Sequence, residues 1–405
     1  MTSYDVDAVR ADFPQLVGGS AHFDGPGGTQ TPRPVAEAIA GALLAPLSNR
    51  GTITPGERNA EKTVQDAREA IADLTGGEPG GVVFGRSATQ LAYDFSRMLA
   101  RRWSKGDEVV VTRLDHDSNV RPWVQAAERS GATLKWLDFD PATSELGDIT
   151  TVLTERTVLV AVTAASNLIG TRPDVRRIAD AAHAVGALVY VDGVHYTAHA
   201  SVDIQALGAD FFSCSPYKFL GPHLGALVAA PSLLETLEPD KLLPATNAVP
   251  ERFEFGTLPY ELLAGVAAAV DYLAGIGATS PTIGWRRTML VDAFARLEAH
   301  EDALLTRLED GIRTLPGVTV HSRAAHRTPT LLLTFASHST VDAYAFLAER
   351  GVDAPSSNFY ALEASRRLGL GDEGGLRVGL APYTNGDDID RLLDGLAAFL
   401  GISVG

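Results

Sequence analysis

One lysine, Lys218, stands between apolar runs in "DFFSCSPYKFLGPHLGALVAA". A cation flanked in this way is either a stem lying on apolar surface with its ammonium in water, or an amine kept neutral and reactive, as a Schiff-base lysine must be. Other groups of chemical use fall where apolar runs stop. "LVYVDGVH" closes on Asp192, "VTAASN" on Asn167, and "FFSCS" on Ser215, just before Lys218. "VVFGRSATQ" passes through Gly85, Ser87, Ala88 and Thr89, small residues whose free N–H groups and hydroxyls suit a phosphate at a helix N-terminus. Each has a plain reading alone: a Ser or Thr there is an N-cap, and an Asp after an apolar run is a turn residue. The combination of cradle, carboxylate, amide, hydroxyl and amine is what a phosphorylated pyridine aldehyde requires.

These groups need a scaffold that brings strand ends together. Short, apolar, β-branched runs alternate with helical ones between about residues 80 and 230. "GVVF" leads into "SATQLAYDFSRMLARRW", "DEVVVTRL" into "NVRPWVQAAERSG", "TLKWLDF" into a helix near residue 147, and "TVLVAVTAA" into "DVRRIADAAHAVG"; "ALVYVDG", "ADFFSCS" and "LGALVAA" follow. This βαβ rhythm predicts an α/β fold with a mostly parallel sheet covered by helices on both faces. Ligands of such sheets bind at the carboxyl ends of the strands, where the residues above sit.

Composition bounds the partners. The 405 residues are 45% hydrophobic and 21% charged, enough for two or three domains with a large core. A net charge of −16 argues against nucleic acid or an anionic membrane surface as partner. One cysteine, Cys214, excludes an intrachain disulfide and a cysteine-cluster metal site, and with the polar start "MTSYDVDAVRADFPQL" it predicts a cytoplasmic protein. No apolar run reaches the roughly 20 residues of a membrane helix.

The string "VDGVHYTAHASVDIQALGADFFSCSPYKFLGPHLGAL" resembles the core of the class V aminotransferase family, the pyridoxal phosphate (PLP) enzymes that include cysteine desulfurases and selenocysteine lyases. "HFDGPGGTQTP" is similar to the family's N-terminal loop, "LDHDSNVRPW" to its ring-stacking histidine motif, and "SNLIGT" to its cofactor asparagine. "FEFGTLP" resembles its Gly-Thr phosphate loop and "LRVGLAPYTNGDDIDRLL" its C-terminal arginine segment. The motifs stand in the family's order, and the "DGPGGTQ" opening points to a desulfurase-like subfamily.

The resemblance implies PLP-dependent fold type I, with a large domain over 21–285 and a small domain formed by 1–20 and 286–405. Lys218 would carry PLP as a Schiff base and shuttle the substrate α-proton. Asp192 would keep the pyridine nitrogen protonated, His116 would stack on the ring, and Asn167 would bond its phenolic oxygen. Ala88, Thr89 and Ser215 would hold the phosphate, with Gly256 and Thr257 supplied by a second subunit of a homodimer. Arg377 would clamp the substrate carboxylate with its bidentate fork.

Three positions depart from the family pattern. His195 stands where many relatives carry Gln, and is either a second acid/base group or a neutral ring fixing the phenolic oxygen. Tyr217 replaces a histidine before the lysine and can still donate to a phosphate oxygen. The segment "GVDAPSSNFYALEASRRLGLGDEGG", where desulfurases place a mobile nucleophilic cysteine, has none. Cys214, within an apolar strand, packs rather than reacts. The expectation is therefore a C–S or C–Se lyase working without a persulfide cysteine. The alternatives are an aminotransferase, an amino-acid epimerase, or a catalytically idle PLP-binding protein. A dinucleotide oxidoreductase shares the sheet but needs a G-x-G-x-x-G after the first strand, which is missing.

Overall fold

The structure is a computed structural model that describes residues 4–278 and 284–402; the outermost parts of the predicted small domain, 1–3 and 403–405, lie outside the described residues. Its central sheet has seven strands in the order Val82–Gly85, Gly225–Ala229, Phe211–Cys214, Leu188–Asp192, Thr157–Thr163, Glu108–Thr112 and Thr133–Leu137. Pairing is parallel throughout except for Gly225–Ala229, which runs antiparallel to both neighbours.

The strands read as unbroken apolar runs because both faces of the sheet are covered. Side chains alternate between two cores: Val82 and Phe84 point to one and Val83 to the other, and Val110 opposes Val109 and Val111 in the same way. The first core takes in helix Pro55–Thr75 through Val64, Ala67 and Ile71. The second takes in helix Ala88–Leu99 through Leu91 and Phe95, and helix Arg121–Ser130 through Trp123.

The helix expected near residue 147 is not formed. Only a single 3-10 turn, Ile149–Thr151, lies between the edge strand Thr133–Leu137 and Thr157–Thr163. The segment opens on Asp140–Pro141 and holds Ser144 at φ 61°, a left-handed backbone that interrupts helical propagation.

A second, antiparallel sheet follows the order Ser356–Ser357, Gly375–Gly379, Thr330–Phe335, Val318–Val320. Helix Arg286–Arg313 bridges the two regions: Leu290, Phe294 and Leu297 enter the first core, while Leu304, Leu308 and Ile312 pack on the second sheet. Residues 21–24 join this sheet region, since Ala21–His22 pairs with Val352–Asp353 and Asp24 bridges to Gly379, whereas Val9, Phe13 and Leu16 before them enter the first core. That pairing carries the residues after Asp24 across the carboxyl ends of the central strands.

Candidate active site

Strand ends converge on one recess of about 70 Å³, lined by Ala88, Thr89, His116, Asn167, Asp192, His195, Ser215, Tyr217 and Lys218 together with Ser87, Ser118, Thr163, Ala165 and Val194. It adjoins an outer pocket of about 440 Å³ that shares Thr89, His116, Asn167, Tyr217 and Lys218 and adds Asp24, Tyr93, Phe359, Tyr360 and Arg377. Of the residues expected from sequence, Gly85, Gly256 and Thr257 line neither space. Thr257 lines a separate pocket with Phe84, Arg86, His223 and Phe253.

The floor of the recess is the start of helix Ala88–Leu99. Ser87 caps it, its hydroxyl accepting from the Gln90 N–H at 3.1 Å, which leaves the first-turn N–H groups of Ala88 and Thr89 without helical partners. Gly225 is required beneath: a Cβ there would stand 2.3 Å from the Ser87 carbonyl carbon and 2.5 Å from the Ala88 nitrogen.

Lys218 sits in a 3-10 turn directly after strand Phe211–Cys214 and is 8% exposed. Burial first, then the positive charge of Arg377, lowers its amine to about 7, against the opposing pull of Asp24 and Asp192. Its Nζ donates to the Pro26 carbonyl. The Asp24–Gln30 segment holds this turn, because the Thr29 N–H and hydroxyl both donate to the Tyr217 carbonyl, at 3.0 and 3.1 Å. Tyr217 stacks on His223 with centroids 4.9 Å apart.

Asp192 closes its strand and is 6% exposed; burial raises its carboxyl to about 6, and the Val194 N–H donates to it at 2.9 Å. His116 is held by Ser118, whose N–H donates to Nδ1 at 3.1 Å, and burial together with Lys218 and Arg377 pushes the imidazole down to about 3. Its neighbour Asp115, missed in the sequence because it reads as one more turn acid, is fully enclosed. Burial raises it to about 8, and it accepts from Asn119 Nδ2 at 2.7 Å.

His195 is 3% exposed, and burial, His199, Lys218 and Arg377 together hold its imidazole well below the ordinary range. Its Nε2 contacts the hydroxyls of Thr328 at 2.9 Å and Thr330 at 3.1 Å, while Nδ1 is buried without a partner. Behind it His199 packs edge-on at 4.9 Å and donates from Nδ1 to Glu301 at 3.0 Å. The sequence carried no signal for this pair, since Glu301 lies on a helix whose pattern reads as ordinary core.

Arg377 is 1% exposed and heavily engaged. Nη2 donates to Asp24 Oδ1 at 2.5 Å, Nη1 to the Asn167 carbonyl at 3.1 Å, and the guanidinium lies 3.6 Å from the Phe359 ring centre. Asn167 in turn donates from Nδ2 to the Phe359 carbonyl at 3.0 Å and leaves Oδ1 buried and unpartnered. Cys214 is wholly buried beneath the lysine turn, and burial with the Asp192 charge pushes its thiol up to about 12.

The family model for Aminotransferase class-V matches residues 21–392. The chain belongs to the aminotransferase class-V family. Among curated relatives, an uncharacterized protein of Mycobacterium tuberculosis is 33% identical over 98% of this chain and 99% of its own length. A cysteine desulfurase of Dickeya dadantii is 30% identical over 97% and 96% respectively. The crystal structure of the cysteine desulfurase CsdA from Escherichia coli superposes with a TM-score of 0.86 at 25% identity, covering 98% of this chain and 99% of that one. The fold is thus that of PLP-dependent transferases of fold type I, and this member of the aminotransferase class-V family is a PLP-dependent enzyme.

The residues present fit that cofactor. A buried amine with a lowered pKa, a buried carboxylate, unpartnered first-turn N–H groups over a glycine, and the orphaned Asn167 Oδ1 and His195 Nδ1 all face one recess. Among the described residues no helix is long and apolar enough to cross a membrane.

Proposed function

We propose that this member of the aminotransferase class-V family is an amino-acid C–S or C–Se lyase that works without a persulfide cysteine. The observation that carries the reading is Cys214: the chain's single cysteine is enclosed in a central strand with its thiol pushed up to about 12, and the Phe359–Tyr360 segment beside the site holds no thiol. A buried, protonated thiol is a poor nucleophile.

Bound PLP supplies an electron sink for negative charge at the substrate α-carbon. Lys218, its amine lowered to about 7, anchors the cofactor and takes the α-proton at Nζ near neutral pH. Asp192 would hold a proton at the pyridine nitrogen, His116 would stack on the ring, and Asn167 and neutral His195 would bind the phenolic oxygen. Ala88, Thr89, Ser215 and Tyr217 hold the phosphate, joined by Gly256 and Thr257 of a second copy in a homodimer. Arg377 takes the substrate carboxylate. The Cβ–S bond then breaks, the thiol leaves with a proton, and water completes the balance, giving pyruvate and ammonia from a cysteine thioether.

The test is an amino-acid panel assayed together for keto acid, thiol or sulfide, ammonia and loss of stereochemistry. The expected result is equal release of thiol, pyruvate and ammonia. Alanine with a persulfide on Cys214 overturns the reading, and amino-group transfer or epimerisation without thiol release moves the chain to the other outcomes open to the same lysine.

A further inference from the structure

The outer pocket carries a feature that the proposed chemistry does not use. Phe359 and Tyr360 are consecutive aromatic residues, both with left-handed backbones, at φ 51° and 59°. Such residues are sterically strained there, and the conformation persists only where surroundings over-determine it. Three hydrogen bonds do so. The Asp117 N–H donates to the Tyr360 carbonyl at 2.7 Å, Asn167 Nδ2 to the Phe359 carbonyl at 3.0 Å, and the Tyr360 N–H to Asn358 Oδ1 at 2.9 Å. Strain of this kind clusters at ligand clamps.

The turn aims two rings at the space above Lys218. Phe359 lies on the Arg377 guanidinium, and Tyr360 tilts by 34° toward His116 with centroids 5.6 Å apart. Tyr360 nevertheless keeps 75% of its surface exposed, leaving most of its ring uncovered. Tyr93 and Tyr217 line the same pocket.

Charge narrows the ligand further. The lining cations are Lys218 and Arg377, the first committed to the cofactor and the second already paired with Asp24. The lining acid Asp117 is paired with Arg121 at 3.0 Å. No spare cation remains among the lining residues for a second carboxylate, whereas the rings of Tyr93 and Tyr360 do. The pocket's 440 Å³ is within the roughly 300–1,000 Å³ range of small-molecule sites.

We propose that the strained Phe359–Tyr360 turn is a specificity element, and that the side chain it selects is aromatic. On the lyase reading, on which this rests, the substrate is a cysteine thioether bearing an aryl or benzyl group. The ring would pack against Tyr360 and Tyr93 in the offset or edge-on arrangements aromatic pairs prefer.

The experiment titrates the PLP-loaded protein with S-benzyl-L-cysteine, S-methyl-L-cysteine, L-cysteine and L-glutamate, and reads the absorbance change of the bound cofactor rather than turnover. S-benzyl-L-cysteine is expected to half-saturate at about tenfold lower concentration than the S-methyl compound, and glutamate to bind worst. Tyr360→Gly removes the ring and relieves the left-handed strain, so it folds, and it should weaken the S-benzyl titration far more than the S-methyl one, erasing most of that tenfold preference. Equal affinity for the benzyl and methyl compounds, or a preference untouched in Tyr360→Gly, overturns the inference and leaves the lyase reading standing. No absorbance change with any amino acid overturns both.

Discussion

Arg377 and Asp24 are joined by a 2.5 Å ion pair between a fully buried guanidinium and a carboxylate one-third exposed, 32% by side-chain area. The residue expected to hold the substrate carboxylate therefore already holds one. Asp24→Asn should act in two directions. Leaving the arginine charge unpaired should cost about 1–2 kcal/mol, less than for a fully buried pair because water reaches Asp24. With its competitor removed, Arg377 should bind amino-acid carboxylates severalfold more tightly. Thermal unfolding of the apoprotein and amino-acid titration of the loaded protein check both arms; unchanged half-saturation would show that Asp24 does not compete.

The lysine gives a pH-dependent stability with a defined sign. Its amine is lowered from 10.5 to about 7 in the fold, chiefly by burial. Below the folded value it is charged in both states and the folded apoprotein bears the whole burial cost, about 1.4 kcal/mol for every tenfold loss of proton affinity. As pH rises from 7 toward 10.5 that cost is relieved, and above it the amine is neutral in both states. Lys218→Met should thus unfold at higher temperature than the parent apoprotein at neutral pH, with the gap closing as pH rises. A gap independent of pH would contradict the buried-cation account.

What could be read from sequence followed the range of the interactions. Asp192, Asn167, Ser215 and Lys218 were legible because each ends an apolar run, and strand ends of a parallel sheet meet by topology alone. Asp24 was not: a lone acid after two strand residues looks like a turn, and its partner lies 353 positions away. Glu301 and His199 were hidden for the same reason, each fitting its own local pattern while their meeting depends on how helix Arg286–Arg313 crosses the sheet region. The helix expected near residue 147 failed on local grounds, where Pro141 and left-handed Ser144 outweighed the βαβ rhythm.

The cysteine should be inert. With no exposed surface and its thiol pushed up to about 12, Cys214 should resist alkylation in the native protein and react on unfolding. Cys214→Ser should retain most turnover. Rapid native labelling, or loss of activity in the serine variant, would restore a sulfur-carrying role.

Asp192→Asn separates cofactor binding from cofactor electronics. The amide preserves the shape of the strand end and can still accept from the Val194 N–H. It cannot hold the pyridine nitrogen protonated, so α-proton removal should slow by about a hundredfold or more while the cofactor stays bound. Solvent-deuterium exchange at the substrate α-carbon measures that step directly. Near-normal exchange would show that the electron sink is not used.

Thr257 tests the second copy. Within its own chain it faces a pocket with Arg86 and His223 rather than the Lys218 recess. The loop's root is fixed, since Glu254 pairs with buried Arg68 at 2.8 Å and accepts from the Phe84 N–H at 2.9 Å, and Thr257 beyond it is exposed. If a partner's phosphate is its target, two defects on different chains should complement. Lys218→Ala destroys a chain's own site, whereas Thr257→Val would damage only its neighbour's. In a mixed dimer of the two variants, one site carries both defects and the other carries neither. Mixing the inactive Lys218→Ala protein with the weakened Thr257→Val protein, under conditions that exchange subunits, should therefore raise cofactor occupancy and activity at limiting PLP above the sum of the separate samples. A strictly additive mixture, with subunit exchange verified by mass spectrometry, would mean that each site is complete within one chain.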